Sequence, residues 1–246
     1  MRLLSTDEMI RIWEEGQGCR PVDRAVLFLS AAFHETSSDG FVEMSIGQRD
    51  ARLFALREQT FGHVLRCYIE CPRCAEPLEF DTTVAEIQQA TAEIGHEKLG
   101  LDLLVEDFML RVRLPNSLDV AAVIACADDA MAHRLLIERC VLQSVRHGEP
   151  VLSNKLPDAV VTQLVTRMAE LDPMADLQLA LTCPTCSHSW VSIFDIVSFF
   201  LSEIDRWGRG ILRDVHTLSS AYGWREADIL AMRSWRRQAY MEMVCE

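Results

Sequence analysis

Two copies of a Cys-Pro-x-Cys element, Cys71-Pro-Arg-Cys74 and Cys183-Pro-Thr-Cys186, hold the residues best able to do chemistry in this chain. Two cysteines separated by two residues can turn both sulfurs toward one point. Two such pairs supply the four thiolates of a closed tetrahedral zinc site. A single pair would serve equally as a redox dithiol, but that chemistry sets the cysteines where a strand runs into a helix. Here apolar and polar residues alternate before each pair, at Leu65, Cys67 and Ile69 and again at Leu177, Leu179 and Leu181. Leu78 and Trp190 follow the first cysteine of their pairs at the same offset. Period-two patterning about a short turn (Ala75-Glu76, Ser187-His188) predicts two β-hairpins with the cysteines at their tips. The reading is a single structural zinc ion held by Cys71, Cys74, Cys183 and Cys186, with a redox or vestigial pair of knuckles as the alternative. His188 could replace Cys186 as a ligand, although four cysteines already complete the set. Spacing alone leaves open whether both knuckles share one ion, but two thiolates per ion would make an open, weakly held site.

More than a hundred residues separate Cys74 from Cys183, far more than an ordinary zinc ribbon needs, so the ribbon is expected to be split by an insertion. The predicted fold class is α+β, mainly α. It comprises an N-terminal helical segment (1–62), a split ribbon (63–83 with 176–194), a mostly helical insertion (84–175) and C-terminal helices (195–246). Ser5-Thr-Asp-Glu8 is a capping box that opens a first helix, which Gly16 and Gly18 end. Pro21 starts a second helix, His34 to Gly40 reads as loop, and Ile46 begins a helix to about Gln59. In the insertion, Phe108, Leu110, Val112 and Leu114 alternate as a strand. Asn116-Ser117 then caps an Ala/Val-rich helix. Helices are expected over Met131–Val145 and from Pro157 to about Leu171. Asp195 caps a helix bearing Ile196, Phe199, Phe200, Ile204 and Trp207. Ile211, Val215, Leu218 and Tyr222 form a further helical stripe closed by Gly223 in left-handed geometry. Two short helices, around Glu226–Met232 and Trp235–Val244, complete the pattern.

The 246 residues suffice for a substantial core, and 49% hydrophobic with 25% charged residues is ordinary globular composition. Five of the nine cysteines (Cys19, Cys67, Cys126, Cys140, Cys245) lie outside the knuckles, mostly in apolar patterns where free cysteine behaves as a small hydrophobe. That usage predicts a reducing compartment. With no basic n-region before an apolar run and no membrane-length apolar stretch, the expectation is a cytoplasmic chain without membrane contact. A formal net charge of −13 argues against general nucleic-acid binding, which needs cationic surface to release phosphate counterions. No phosphate loop, nucleophile elbow or His-Glu-x-x-His motif is present. The seven histidines, among them His96 and His133, are dispersed, and adjacent Asp128-Asp129 point in different directions on a helix. An enzyme is therefore not expected.

Several segments resemble the T-even-type (phage T-four) base plate protein family. They are Gly47-Gln-Arg49-Asp50, Leu56-Arg57, Thr60-Phe61-Gly62 with the first knuckle, Asp172-Pro173-Met-Ala-Asp176 ahead of the second, Ile211-Leu-Arg213-Asp-Val215-His216, and Ala221-Tyr222-Gly223-Trp224 with Glu226-Ala-Asp228-Ile229-Leu230. The resemblance spans roughly Ile46 to Tyr240. It implies a baseplate or hub component, or a hub assembly chaperone, of a contractile phage tail or tail-like injection system. The implied partners are other baseplate or hub proteins, met in the cytoplasm and then retained in the particle or left behind. The alternative is a zinc-ribbon adaptor for nucleic acid or transcription machinery. Aromatic residues and arginine dominate protein interfaces, which makes Trp224, Trp235, Arg236, Arg237 and Tyr240 candidate partner contacts; the competing reading places these aromatics in the core. Arg225 stands where a helix N-cap would favour Ser or Thr.

Overall fold

Polar side chains cap helix N-termini at Ser5, Ser45, Asn116, Asp128 and Asp195. The computed structural model describes residues 1–34, 36–89, 100–124 and 126–245; His96 and the side chain of Cys245 lie outside the described residues. Helices α1 (Thr6–Glu15), α2 (Pro21–Ala32), α3 (Ser38–Glu43) and α4 (Ile46–Phe61) lead into strands β1 (Val64–Glu70) and β2 (Pro77–Thr83). There follow α5 (Val84–Gln89), β3 (Leu101–Val105), β4 (Phe108–Val112), α6 (Ser117–Val123) and α7 (Asp129–Cys140). Next come β5 (Val141–Arg146), β6 (Glu149–Pro150), α8 (Asp158–Leu171), β7 (Gln178–Thr182) and β8 (Ser189–Ile193). Last are α9 (Ile196–Tyr222), α10 (Glu226–Leu230) and α11 (Ser234–Cys245). Strands pair as two hairpins, β1–β2 and β7–β8, and one four-stranded sheet in the order β3-β4-β5-β6. The chain is a mixed α/β protein with small antiparallel sheets, and it divides into two compact units, residues 1–38 with 195–246 and residues 39–194.

The first unit is helical. Ser5 Oγ accepts from the Glu8 N–H while the Glu8 carboxylate accepts from the Ser5 N–H, so the capping box opens α1 as the sequence indicates. Asp195 accepts from the Val197 N–H at the start of α9, and Gly223 closes that helix at φ 67°. α9 buries Ile196, Phe200, Ile204, Ile211 and Leu218 along one stripe. Phe200 meets Phe28 of α2 edge-on, ring centroids 5.5 Å apart. Trp13 of α1 lies so close to Gly208 that a Cβ there would sit 2.9 Å from the indole. Its Nε1 donates to Asp205 Oδ1 at 2.8 Å, and Arg24 pairs with the same carboxylate.

The second unit has its apolar centre between the four-stranded sheet and α7 and α8. Val105, Phe108, Leu110 and Val112 supply the inner face of the sheet, and Ile137, Cys140, Val160, Leu164 and Met168 supply the helices. α4 is tied at its N-terminus to two distant segments. The Gly47 N–H donates to Asp172 Oδ2 at 3.0 Å, and the Ile46 N–H donates to the Pro115 carbonyl at 3.0 Å. Buried Arg49 donates to Asp50 Oδ1 at 2.7 Å and to Ser117 Oγ at 2.8 Å. Further along α4, Phe54 stacks on Phe194 at 5.8 Å. Asn116 caps α6, and within this cap Asp119, fully buried, receives Arg113 Nη1 at 2.5 Å and Nη2 at 2.8 Å and Arg139 Nε at 2.7 Å.

The structure departs from the sequence reading at four places. The helix expected over Met131–Val145 ends at Cys140, and Val141–Arg146 become β5, because Met109–Arg111 and Phe108 of β4 offer it a pairing partner. β3 and the short β6 complete that sheet around the strand foreseen at Phe108. The two helical stripes after Asp195 belong to the single helix α9. Ser38–Gly40, expected as loop, open α3. α10 begins after Arg225 without a side-chain cap.

A Cβ at Gly47 would lie 2.0 Å from Asp172 Oδ1 and 3.0 Å from the Ala175 N, so Gly47→Ala is expected to cost about 2–3 kcal/mol in urea unfolding. Burial alone would raise the Asp119 carboxyl, but the bonds from Arg113, the Asn116 N–H and Arg139 outweigh it and hold the group down at about 2. A depressed carboxyl contributes stability above its unfolded value and loses it as pH falls through the folded one. Unfolding free energy should therefore drop between about pH 4 and pH 2. Asp119→Asn should remove that part of the drop and cost roughly 3 kcal/mol at neutral pH.

Candidate metal centre

The two knuckles have the same backbone. In the first, the Cys71 N–H donates to the Glu76 carbonyl and the Ala75 N–H to the Cys71 carbonyl, each at 2.9 Å. In the second, the Cys183 N–H donates to the His188 carbonyl and the Ser187 N–H to the Cys183 carbonyl, again at 2.9 Å. The fourth residue after the leading cysteine is left-handed in both, Ala75 at φ 58° and Ser187 at φ 56°. Non-glycine residues adopt this conformation at a cost of roughly 1–2 kcal/mol. It turns the chain back just after the second cysteine, so that the Glu76 and His188 carbonyls meet the N–H groups of Cys71 and Cys183.

The hairpins bring the four sulfurs together. All lie within 4.8 Å of one another. Cys71 and Cys186 are 3.7 Å apart and Cys74 and Cys183 are 3.6 Å apart, although these pairs are 115 and 109 positions apart in sequence. Four sulfurs about 2.3 Å from one central ion would be separated by about 3.8 Å along each tetrahedral edge. Cys71 and Cys183 are buried while Cys74 is exposed and Cys186 partly so, which puts the cluster at the surface end of the hairpins. His188 lies to one side, stacked on Trp190 at 5.9 Å with the rings 9° from parallel.

The electrostatics of Cys71 and Cys74 also fit a cation. Burial pushes the Cys71 thiol up, but the N–H groups of Arg73 and Cys74, with the adjacent thiols, outweigh it and bring it down to about 7. At Cys74 the Glu76 N–H favours the thiolate, yet burial and the three neighbouring thiols drive it up to about 12. One ionised sulfur suppresses ionisation of the next, since like charges at this range cannot all form unaided. A divalent ion removes that conflict by deprotonating the thiols it binds. The donor set and the spacing can therefore hold a metal ion.

The residues singled out as partner contacts all fall in the first unit but do not form one surface. Trp224 and Tyr240 pack with Tyr222, ring centroids 4.5–5.9 Å apart. Arg236 lies over the Tyr240 ring at 5.7 Å. Arg237 is buried and pairs through Nε with Asp214 at 3.1 Å. Trp235 is 68% exposed. Among the remaining cysteines, Cys67 and Cys140 are buried, Cys126 is partly so and Cys19 is exposed. Trp207, which the sequence reading placed on a helix without marking it as a contact, and Gly210, which it did not single out, lie beside Trp235 in a groove. The signal available was a glycine inside an amphipathic helix.

The fold and the cluster together define a mixed α/β protein with a four-thiol site that can hold a metal. A family model described as T4 bacteriophage base plate protein matches residues 28–201, well over half of the chain. The chain belongs to this family. No curated protein and no solved structure matches it. No helix among the described residues is long and apolar enough to cross a membrane.

Cobalt(II) titrated into chelator-treated protein is expected to give thiolate charge-transfer absorption that saturates at about one ion per chain. Cys71→Ser or Cys183→Ser should abolish that endpoint and lower the melting temperature of the second unit. Two ions per chain, or wild-type stability in both variants, would rule out a shared structural site.

Proposed function

We propose that this chain is a structural or assembly protein of a contractile-tail baseplate, in which Cys71, Cys74, Cys183 and Cys186 hold one structural zinc ion and close a split ribbon. The observation that carries the reading is the baseplate family match across both knuckles, combined with four sulfurs brought within 4.8 Å of one another from hairpins more than a hundred residues apart. The ribbon occupies 63–83 and 176–194, and the segment 84–175 is the lobe between its halves. A site closed by four thiolates has no open coordination position and serves folding, not turnover. In this reading the ion fixes the tips of the hairpins while α4 and Asp172 fix their bases. The lobe is then presented as a rigid body to other baseplate or hub proteins. Outside the lobe, in the first unit, further docking residues are drawn from Trp224, Trp235, Arg236, Arg237 and Tyr240. Of these, Trp235 and Arg236 are the exposed pair.

Affinity purification of the tagged chain from phage-producing or prophage-bearing cells, with mass spectrometry of what is retained, tests the role. Recovery of sheath, tube and baseplate proteins together would make the chain a component of the particle. Recovery of one or two hub proteins alone would make it an assembly chaperone. Polymerase subunits or nucleic acid without any tail protein would overturn the baseplate reading in favour of an adaptor. Trp235→Ala combined with Arg236→Ala is expected to reduce tail-protein recovery about tenfold or more; undiminished recovery would remove these two residues from the contact.

A further inference from the structure

A groove of about 520 Å³ runs between α9 and α11 in the first unit, lined by Trp207, Gly210, Asp214, Trp235 and Arg237 among others. Gly210 is its most telling residue. Glycine in the interior of a helix lowers helix stability relative to alanine, so its presence calls for a local reason. At Gly208 that reason is Trp13, 2.9 Å from a would-be Cβ; at Gly210 a Cβ would meet nothing within 4 Å. Internal packing therefore does not require a glycine here. What the missing side chain does is leave bare helix backbone on the wall of a groove that two indoles also line, where an incoming group can approach closely.

The charge around the groove is as informative. The chain carries −13 overall, yet Arg206, Arg209 and Arg213 follow one another on α9 at three- and four-residue spacing and form one exposed stripe. Gly210 is four residues from Arg206 and three from Arg213, so the stripe borders the groove. Arg233, also exposed, stands at the start of α11. The ion pairs of this unit include Arg2–Glu8, Arg11–Asp7, Arg20–Asp23, Arg24–Asp205 and Arg237–Asp214. None of these pairs includes Arg206, Arg209, Arg213 or Arg233, although Arg209 also lies in the field of Asp205 and Arg213 Nε donates to the Arg209 carbonyl at 3.4 Å. Within the groove, buried Arg237 gives Nε to Asp214, while its Nη1 has no hydrogen-bond partner among the described residues.

We infer that this groove seats an acidic segment of a partner protein, with one apolar or aromatic side chain laid on Gly210 between Trp207 and Trp235. Carboxylates on either side of that anchor meet Arg206, Arg213 and Arg233. An aromatic anchor in a pocket rimmed by arginine is the arrangement that concentrates binding energy in protein interfaces. The surrounding charge steers acidic partners toward the groove. The inference deepens the docking role proposed above and rests on it only for the partner's origin in a baseplate; the chemistry of the groove is tested separately from any lysate.

The test uses the full chain and a synthetic peptide of about a dozen residues, glutamate and aspartate with one central phenylalanine, followed by tryptophan fluorescence and calorimetry. The expected result is micromolar binding that weakens as sodium chloride is raised from about 50 to 500 mM. Replacing the phenylalanine by serine should weaken it about tenfold. Gly210→Leu, which adds a strong helix former into open space, should retain the wild-type melting temperature and lose binding at least about tenfold. Arg206→Gln with Arg213→Gln should weaken binding and flatten its salt dependence, and serves as the second probe if Gly210→Leu disturbs folding. No peptide binding at about 1 mM, or equal binding by all variants, would overturn the inference. So would tighter binding of a single-stranded oligonucleotide of the same charge than of the peptide. Failure here with tail proteins still captured would leave the baseplate role standing and remove only the groove from it.

Discussion

The second unit depends on the contact between the Asp172 carboxylate and the bare backbone of Gly47. A carboxylate at a helix N-terminus answers unpaired N–H groups and the positive end of the helix dipole. Burial raises the Asp172 carboxyl, and the bonds from Gly47 and Ser45 with the field of Arg49 act against that rise. No side chain larger than hydrogen fits between the two. The same helix start receives Pro115 and Ser117, so three stretches far apart in sequence, 45–49, 115–117 and 172–175, converge on one turn of α4. Because α4 runs into β1 and Asp172 stands shortly before β7, this meeting sets the base from which both cysteine hairpins depart.

Tip and base are fixed by opposite means. At the base the polar groups satisfy one another internally: each carboxylate has its guanidinium or N–H partners, and the Asp119 pairs with Arg113 and Arg139 extend the same logic into the lobe. At the tip the four sulfurs cannot do this alone, since a low thiol at Cys71 comes with a high one at Cys74. The protein brings like groups together there and leaves their charge to be answered from outside the chain. Two thiols are buried and two reach the surface, so the backbone turns of the knuckles, and not hydrophobic burial, hold the arrangement.

What could be read from the sequence was local. The knuckles, the caps at Ser5, Asn116 and Asp195 and the left-handed Gly223 each depend on a few neighbouring residues, and each stands where its spacing placed it. β5 escaped because Val141-Leu-Gln-Ser-Val145 continues the apolar run of α7, and only pairing with β4 decides that it is a strand. α9 read as two stripes because glycines at 208 and 210 interrupt the pattern; at Gly208 the reason lies in Trp13, nearly two hundred residues away. The meeting of the four sulfurs was expected from chemistry, whereas the groove had only a glycine within a helix to mark it, since its two walls come from 207–214 and 234–238 and neither has a motif.

The first unit is discontinuous, and that has a consequence for synthesis. α1 and α2 leave the ribosome with Ile10 and Phe28 uncovered, since the residues they pack on, Ile211 and Phe200, belong to α9. Roughly 160 residues must be translated before α9 begins, which at about 5–20 residues per second takes about 8–30 s. The whole of the second unit can fold in that interval, while the two leading helices wait with an oily face open to water. In the cell this is a window for chaperone capture, and it closes only when the ribosome delivers Phe200 to Phe28.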